Sequence, residues 1–146
     1  MLQSVTINKL TPTERFLVVQ VGPENLLEAL RLLTTRIGLR HLSTITGLDL
    51  GDGIGLDYQF AESNRIIAIR TVLPKIGLNI ESCTEILPGA ILYEMEVHDM
   101  FGVSFKGNPW MDRKLLLPDN YPTDMPPPLL KTTSPEKIRK AVGVEK

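Results

Sequence analysis

Glu94, Glu96, His98 and Asp99 put three carboxylates and an imidazole within six residues. Such groups can hold a hard cation or share a proton with a substrate. Helical spacing argues against both. Glu94 and His98 lie one turn apart and Glu96 and Asp99 are neighbours, but the two pairs face different sides, whereas a metal site on one helix needs its ligands on one face. The spacing favours carboxylates that fix the helix, accepting hydrogen bonds from backbone groups or arginines in this chain or a partner. Buried without such donors they would be costly. Cys83 has no histidine near it in sequence, so a structural thiol is the plainer reading than a nucleophile. His41, beside Arg40 at the start of a candidate strand, reads as structural too. Gly51-Asp52-Gly53-Ile54-Gly55 is rich in glycine. A dinucleotide loop needs a helix after it, and a strand pattern follows here, so a hairpin turn is expected. No Walker A sequence is present.

The composition narrows the choices. A chain of 146 residues, 42% hydrophobic and 23% charged, can bury one core. A formal net charge of −1 argues against general attraction to nucleic acid. One cysteine makes no internal disulfide and cannot by itself ligate an iron–sulfur cluster or a cysteine-rich zinc site. No apolar run approaches the length of a membrane span, and Met1–Leu10 lacks a signal-peptide pattern. The reading is an intracellular soluble chain that meets a membrane only through a partner. Of eleven prolines, Pro109, Pro118, Pro122, Pro126, Pro127, Pro128 and Pro135 lie toward the end, which suggests a folded front and an extended back.

The elements that must position these residues follow from periodicity. Phe16–Val21 reads as a strand. Pro23 opens a helix whose Leu26, Leu27, Leu30 and Leu33 recur at helical spacing, with Gly38 as its cap. His41–Thr46 is a weak strand. Ile54, Leu56, Tyr58 and Phe60 alternate with Gly55, Asp57 and Gln59, giving one buried and one wet face. Ile66–Leu73 is apolar on both faces and therefore central in the sheet. Turns fall at residues 51–53 and 63–65. Lys75–Leu87 is ambiguous. Pro88-Gly89 introduces a second helix, Ala90–Phe101, with Ala90, Tyr93, Val97 and Met100 as one stripe and Ile91, Leu92 and Met95 projecting elsewhere. A helix apolar on more than one side meets more than its own sheet. Val103–Phe105 is a last short strand, Lys106–Lys131 a proline-rich strap, and Pro135–Lys146 a short helix or tail. The C-terminal segment from Lys131 on has a net charge of +3 (five basic residues minus two acidic).

Tyr93, Phe101, Phe105 and Trp110 gather around the second helix, with Met95, Met100 and Met111 close by. An ordinary core explains this, and so does an interface anchor. The ordered string from Tyr93 to Pro109, continued by Asp112–Asp119 and Pro128–Lys131, resembles the signature of the 30 kDa subunit family of respiratory NADH dehydrogenase (complex I), a module also found in membrane-bound nickel–iron hydrogenases. The matching positions are Glu94, Glu96, Asp99, Met100, Phe101, Gly102, Phe105, Gly107, Pro109, Arg113, Leu115, Leu116, Asp119, Pro128, Leu129 and Lys131. Met95, Asn108 and Leu130 depart from the family's usual Arg, His and Arg. These departures tilt the resemblance toward a hydrogenase-type or otherwise divergent relative.

The resemblance implies a non-catalytic accessory subunit of the peripheral arm, on the cytoplasmic face of the membrane. It would pack on the large, hydrogenase-like catalytic subunit and near the small iron–sulfur subunit. The chain itself would carry no cofactor or metal. Iron–sulfur clusters, and a nickel–iron centre in a hydrogenase-type complex, would sit in the partners. The expected fold is α+β: a mainly antiparallel sheet of about four strands with two packed helices over residues 1–105, then the extended strap and tail over 106–146. The strap is expected to lie across a partner. Two rivals remain. A small stand-alone enzyme using Glu94–Asp99 predicts that these groups line a solvent-reaching cleft. A regulatory binding module using the aromatic patch predicts reversible association.

Overall fold

In a computed structural model, residues 6–7 and 15–143 are described. The elements run β1 (Thr6–Ile7), β2 (Phe16–Gln20), a 3-10 turn at Pro23–Asn25 leading into α1 (Leu26–Leu32), then β3 (Leu42–Asp49), β4 (Gly53–Glu62), β5 (Arg65–Pro74), β6 (Asn79–Glu81), α2 (Ala90–Phe101), β7 (Ser104–Lys106) and α3 (Pro135–Val142). The fold class is α+β. Five strands form one sheet in the order β1-β2-β5-β4-β3, antiparallel except where β2 meets β5. The doubly apolar β5 is indeed central. It is not buried from both sides, however: its outer face leaves Ile66 exposed and Arg70 half-buried.

The β3–β4 and β4–β5 hairpins close at the two expected turns. Gly51 takes a φ of +95° in the first, and the Leu50 N–H donates to Gly53 O at 2.9 Å. Along β4, Ile54, Leu56, Tyr58 and Phe60 turn inward and are fully buried with Leu26 and Leu30 of α1 and Val97 of α2. The opposite face is polar. Asp57 and Arg70 stand directly across from each other and form a bidentate ion pair at 2.7 and 2.6 Å. The pair also holds Arg70's pKa above its ordinary value, chiefly through the hydrogen bond to Asp57.

α1 ends early as a regular helix. Thr34 and Thr35 both donate their hydroxyls to Arg31 O, competing with the backbone ladder, and Leu33–Ile37 widens into a π turn. Gly38 then closes it in the left-handed region, as expected. The ambiguous stretch resolves into β6, which pairs in parallel with β7. Three residues with a single apolar side chain, Ile80, carry too little periodicity to mark β6 in the sequence. α2 packs on β3. There Gly47 is required, since a Cβ at this position would come within 2.5 Å of the Phe101 ring.

Candidate functional site

α2 carries two of its three signature carboxylates, Glu94 and Asp99, inward. Its buried positions are Ala90, Glu94, Met95, Val97, Asp99 and Phe101. The stripe expected from apolar residues alone needs correcting here. Tyr93 and Met100 pack less deeply than Met95, which is buried. Glu94 is 0% exposed. It accepts from Ser82 Oγ at 2.7 Å, the Cys83 N–H at 2.8 Å and Asn108 Nδ2 at 2.9 Å. Asn108 Nδ2 also donates to Ile91 O, and Asn108 Oδ1 accepts the Trp110 N–H. Asn108, notable in sequence only as a departure from the family pattern, thus ties the turn after β7 to α2. Cys83 is buried beside this cluster. Burial first, and then the Glu94 charge, pushes its thiol far above the usual range, so the structural reading of this cysteine holds. Burial likewise raises the Tyr58 phenol, with Cys83 and Glu94 adding to it.

Asp99 does a different job with the same chemistry. Its Oδ2 accepts three successive backbone N–H groups, from Leu115, Leu116 and Leu117, at 2.8, 2.7 and 3.1 Å. Converging N–H groups form a concave anion seat, and here the anion is the protein's own carboxylate. The turn thus fixed presents Leu115 and Leu116 outward, 39% and 55% exposed. Lys114 Nζ donates to the carbonyls of Pro118, Asp119 and Tyr121, and Tyr121 Oη donates to Pro126 O. His98 points elsewhere, its Nδ1 donating to Val103 O at 2.8 Å. Glu96 is exposed on the α2 flank. The four groups therefore do not converge. Among the described residues no group of three or more His, Cys, Asp or Glu side chains could hold a metal. The enzyme reading required one cleft lined by these groups. A cleft of about 280 Å³ between α2 and the strap reaches His98 and Asp99 alone of the four. Glu94 is closed in by its donors, and the Asp99 carboxylate is already occupied by the strap.

The strap, without regular secondary structure, runs over its own domain. The Leu129 N–H donates to Met100 O near the end of α2, and the Lys131 N–H to Asp49 Oδ2 at 2.9 Å. Gly102 ends α2 with a φ of +77°, and Pro127 lies so close that a Cβ here would meet its ring at 3.0 Å. Proline-rich chain has few N–H groups, and these two find acceptors on α2 and β3. Asp49 is an anchor the sequence did not disclose. The Lys131 N–H first, then that of Gly51, with Lys75 adding, lowers its pKa from 3.8 to about 2. Of the other signature positions, Phe105 is buried in the core and Gly107 takes a left-handed φ of +95° after β7. Arg113 lies 5.8 Å over the Trp110 ring. Pro109, Asp119 and Leu129 are exposed, and Pro128 is half-buried.

Fold and site together define a small α+β domain whose carboxylate-bearing helix is closed over by a proline-rich strap. The family model for the 30 kDa subunit of respiratory-chain NADH dehydrogenase matches residues 19–138, and the chain belongs to that family. The chain is similar to the C subunit of NADH-quinone oxidoreductase from Roseiflexus castenholzii, with 30% identity over 115 residues, or 72% of this chain and 64% of that protein. It is 46% identical over 57 residues to the C/D subunit of the NADH-quinone oxidoreductase from Acinetobacter baylyi, a stretch covering 39% of this chain and 9% of that protein. It therefore spans less than two thirds of either relative's length. Among solved structures, a chain of the membrane-bound sulfane sulfur reductase, an archaeal respiratory membrane complex, shares the fold. The TM-score is 0.81 at 24% identity, over 97% of this chain and 85% of that one. A trypsin-resistant fragment of Nqo5 matches with a TM-score of 0.61 at 22% identity, over 72% and 88%. Among the described residues no helix is long and apolar enough to cross a membrane.

Proposed function

We propose that this chain is a non-catalytic accessory subunit of the peripheral arm of a membrane-bound respiratory oxidoreductase, of hydrogenase or NADH dehydrogenase type. It holds the large, hydrogenase-like catalytic subunit, beside the small iron–sulfur subunit, in position for electron transfer coupled to ion translocation. It binds at the cytoplasmic face through the complex. The clusters, and any nickel–iron centre, belong to the partners, and this chain supplies shape.

The observation that carries this reading is the Asp99 turn. A buried carboxylate is committed to holding three consecutive amides, and the result is two leucines held outward at a fixed place. Leaving such side chains in water has no benefit for the isolated domain. A surface ordered in advance loses less entropy on docking, so more of the contact energy appears as affinity. Trp110 and Leu129, 40% and 56% exposed, lie on the same strap.

The test is purification through a tag on this chain. The unaltered chain retains a large and a small subunit at fixed ratio. A Leu115→Ser/Leu116→Ser variant melts at the same temperature but loses them. Retention unchanged in the variant, or association only substoichiometric with the unaltered chain, overturns the reading.

A further inference from the structure

A cleft of about 640 Å³ opens between the C-terminal end of α1 and the segment leading into α2, away from the strap. Arg31 and Arg40 line it together with His41, and no aspartate or glutamate does. Neither arginine belongs to any ion pair among the described residues. Unpaired guanidinium groups on a shared cleft present forked donors that match an oxyanion in two-point contact. The α2 end adds the positive pole of that helix, in the same sense.

Gly89 forms part of the same wall. Its φ of −64° is open to any residue, and a Cβ here would meet nothing within 4 Å. The chain's own packing therefore gives no reason for glycine at this position. A missing side chain facing an open cleft leaves room for another backbone to approach.

From these features we infer that the cleft receives an acidic segment of a partner subunit, with at least one carboxylate between Arg31 and Arg40 and apolar neighbours against Leu87 and Tyr93. The inference rests on the accessory-subunit reading and adds a second docking surface to it. Openness decides for a peptide segment over a small anion. Arg31, Arg40, His41, Pro88 and Gly89 are all exposed, whereas a site for a small molecule encloses most of its ligand.

The test uses the complex purified through a tag on this chain. An Arg31→Ser/Arg40→Ser double variant and Gly89→Leu are compared with the unaltered chain and with Ile76→Ser, a control on an exposed side chain outside the cleft. All are first shown to melt as the unaltered chain does. Both cleft variants are expected to release the partner subunits about tenfold more readily on washing at raised salt, with the control unchanged. A photoactivatable phenylalanine at position 41 is expected to cross-link to a partner peptide containing Asp or Glu. The inference is overturned if both cleft variants keep the partners at the unaltered ratio and salt resistance. A cross-link to a peptide without an acidic residue also overturns it. So does inorganic phosphate raising the melting temperature of the isolated chain with no cross-link to a partner, which marks a small-anion site instead. Failure of the cleft variants alone leaves the accessory-subunit reading standing. Failure of the unaltered chain to retain any subunit removes both.

Discussion

The front and the back of this chain are held together by different physics. In the sheet and its two helices, Leu56, Phe60, Leu26, Leu30 and Val97 vanish from solvent into one apolar cluster, and area removed from water does the stabilising. From Lys106 to Lys131 only the last residue of β7 belongs to a regular element. Most of this stretch is too exposed for burial to hold it. It is pinned at discrete polar points instead: Asp99 on residues 115–117, Lys114 on three carbonyls, Met100 O on Leu129 and Asp49 on Lys131. A segment held at points can keep its shape while leaving large apolar side chains outward. A segment held by burial must turn most of its apolar side chains inward, although the front too leaves Ile37, Leu50 and Ile76 exposed. That difference suits the docking role proposed for the strap, in which a buried carboxylate sits beneath leucines rather than beside a substrate.

Phe60→Ala should show the largest effect and act on the front. Removing a fully buried ring costs about 3–5 kcal/mol, read as a lowered midpoint in urea unfolding. Asp99→Ala should cost less, about 1–3 kcal/mol, because it orphans amides that can partly turn to water. Its signature is local, with faster proteolysis between 113 and 130 and little change in exchange protection of β4 and β5. Equal global destabilisation by both variants, lost in a single transition, would merge the two regions and sink the distinction.

Acid should loosen the back before the front. Asp49's folded pKa of about 2 lies below its ordinary 3.8. Its contribution is therefore complete above about pH 4 and disappears as pH falls through 2. NMR should show the Lys131 amide losing protection in that interval, and Asp49→Asn should weaken the anchor at neutral pH. An amide indifferent to both changes would remove Asp49 from the set of pins.

The smallest effect is expected at Cys83. Its buried, strongly raised thiol should resist a disulfide reagent at about pH 8 in the native chain and react on unfolding. Glu94→Ala should hasten labelling by opening the cluster around it. Rapid labelling of the unaltered chain would mean that this part of the front opens easily.

Much of the fold was legible. The alternation in Ile54–Phe60, the doubly apolar Ile66–Leu73, the two hairpin turns, the left-handed cap at Gly38 and the limits of α2 are all local signals, set by side-chain period and turn chemistry. The Tyr93–Lys131 string likewise identified the family, because ordered residue types over that length carry their own specificity. What remained illegible depended on groups distant in sequence. Glu94 finds Ser82 and Asn108 only once β6 and β7 pair. Asp49 meets Lys131 across 82 positions, and Arg31 shares a cleft with Gly89 only after α1 and α2 are set on the sheet. Sequence alone determined which of the longer runs would be helical, which would be strand, and that the carboxylates of α2 would need donors. Tertiary structure decided which donors those were, and which leucines were left facing outward. Periodicity and turns are properties of neighbouring residues, whereas a buried charge is satisfied by whatever the folded chain brings within hydrogen-bond reach.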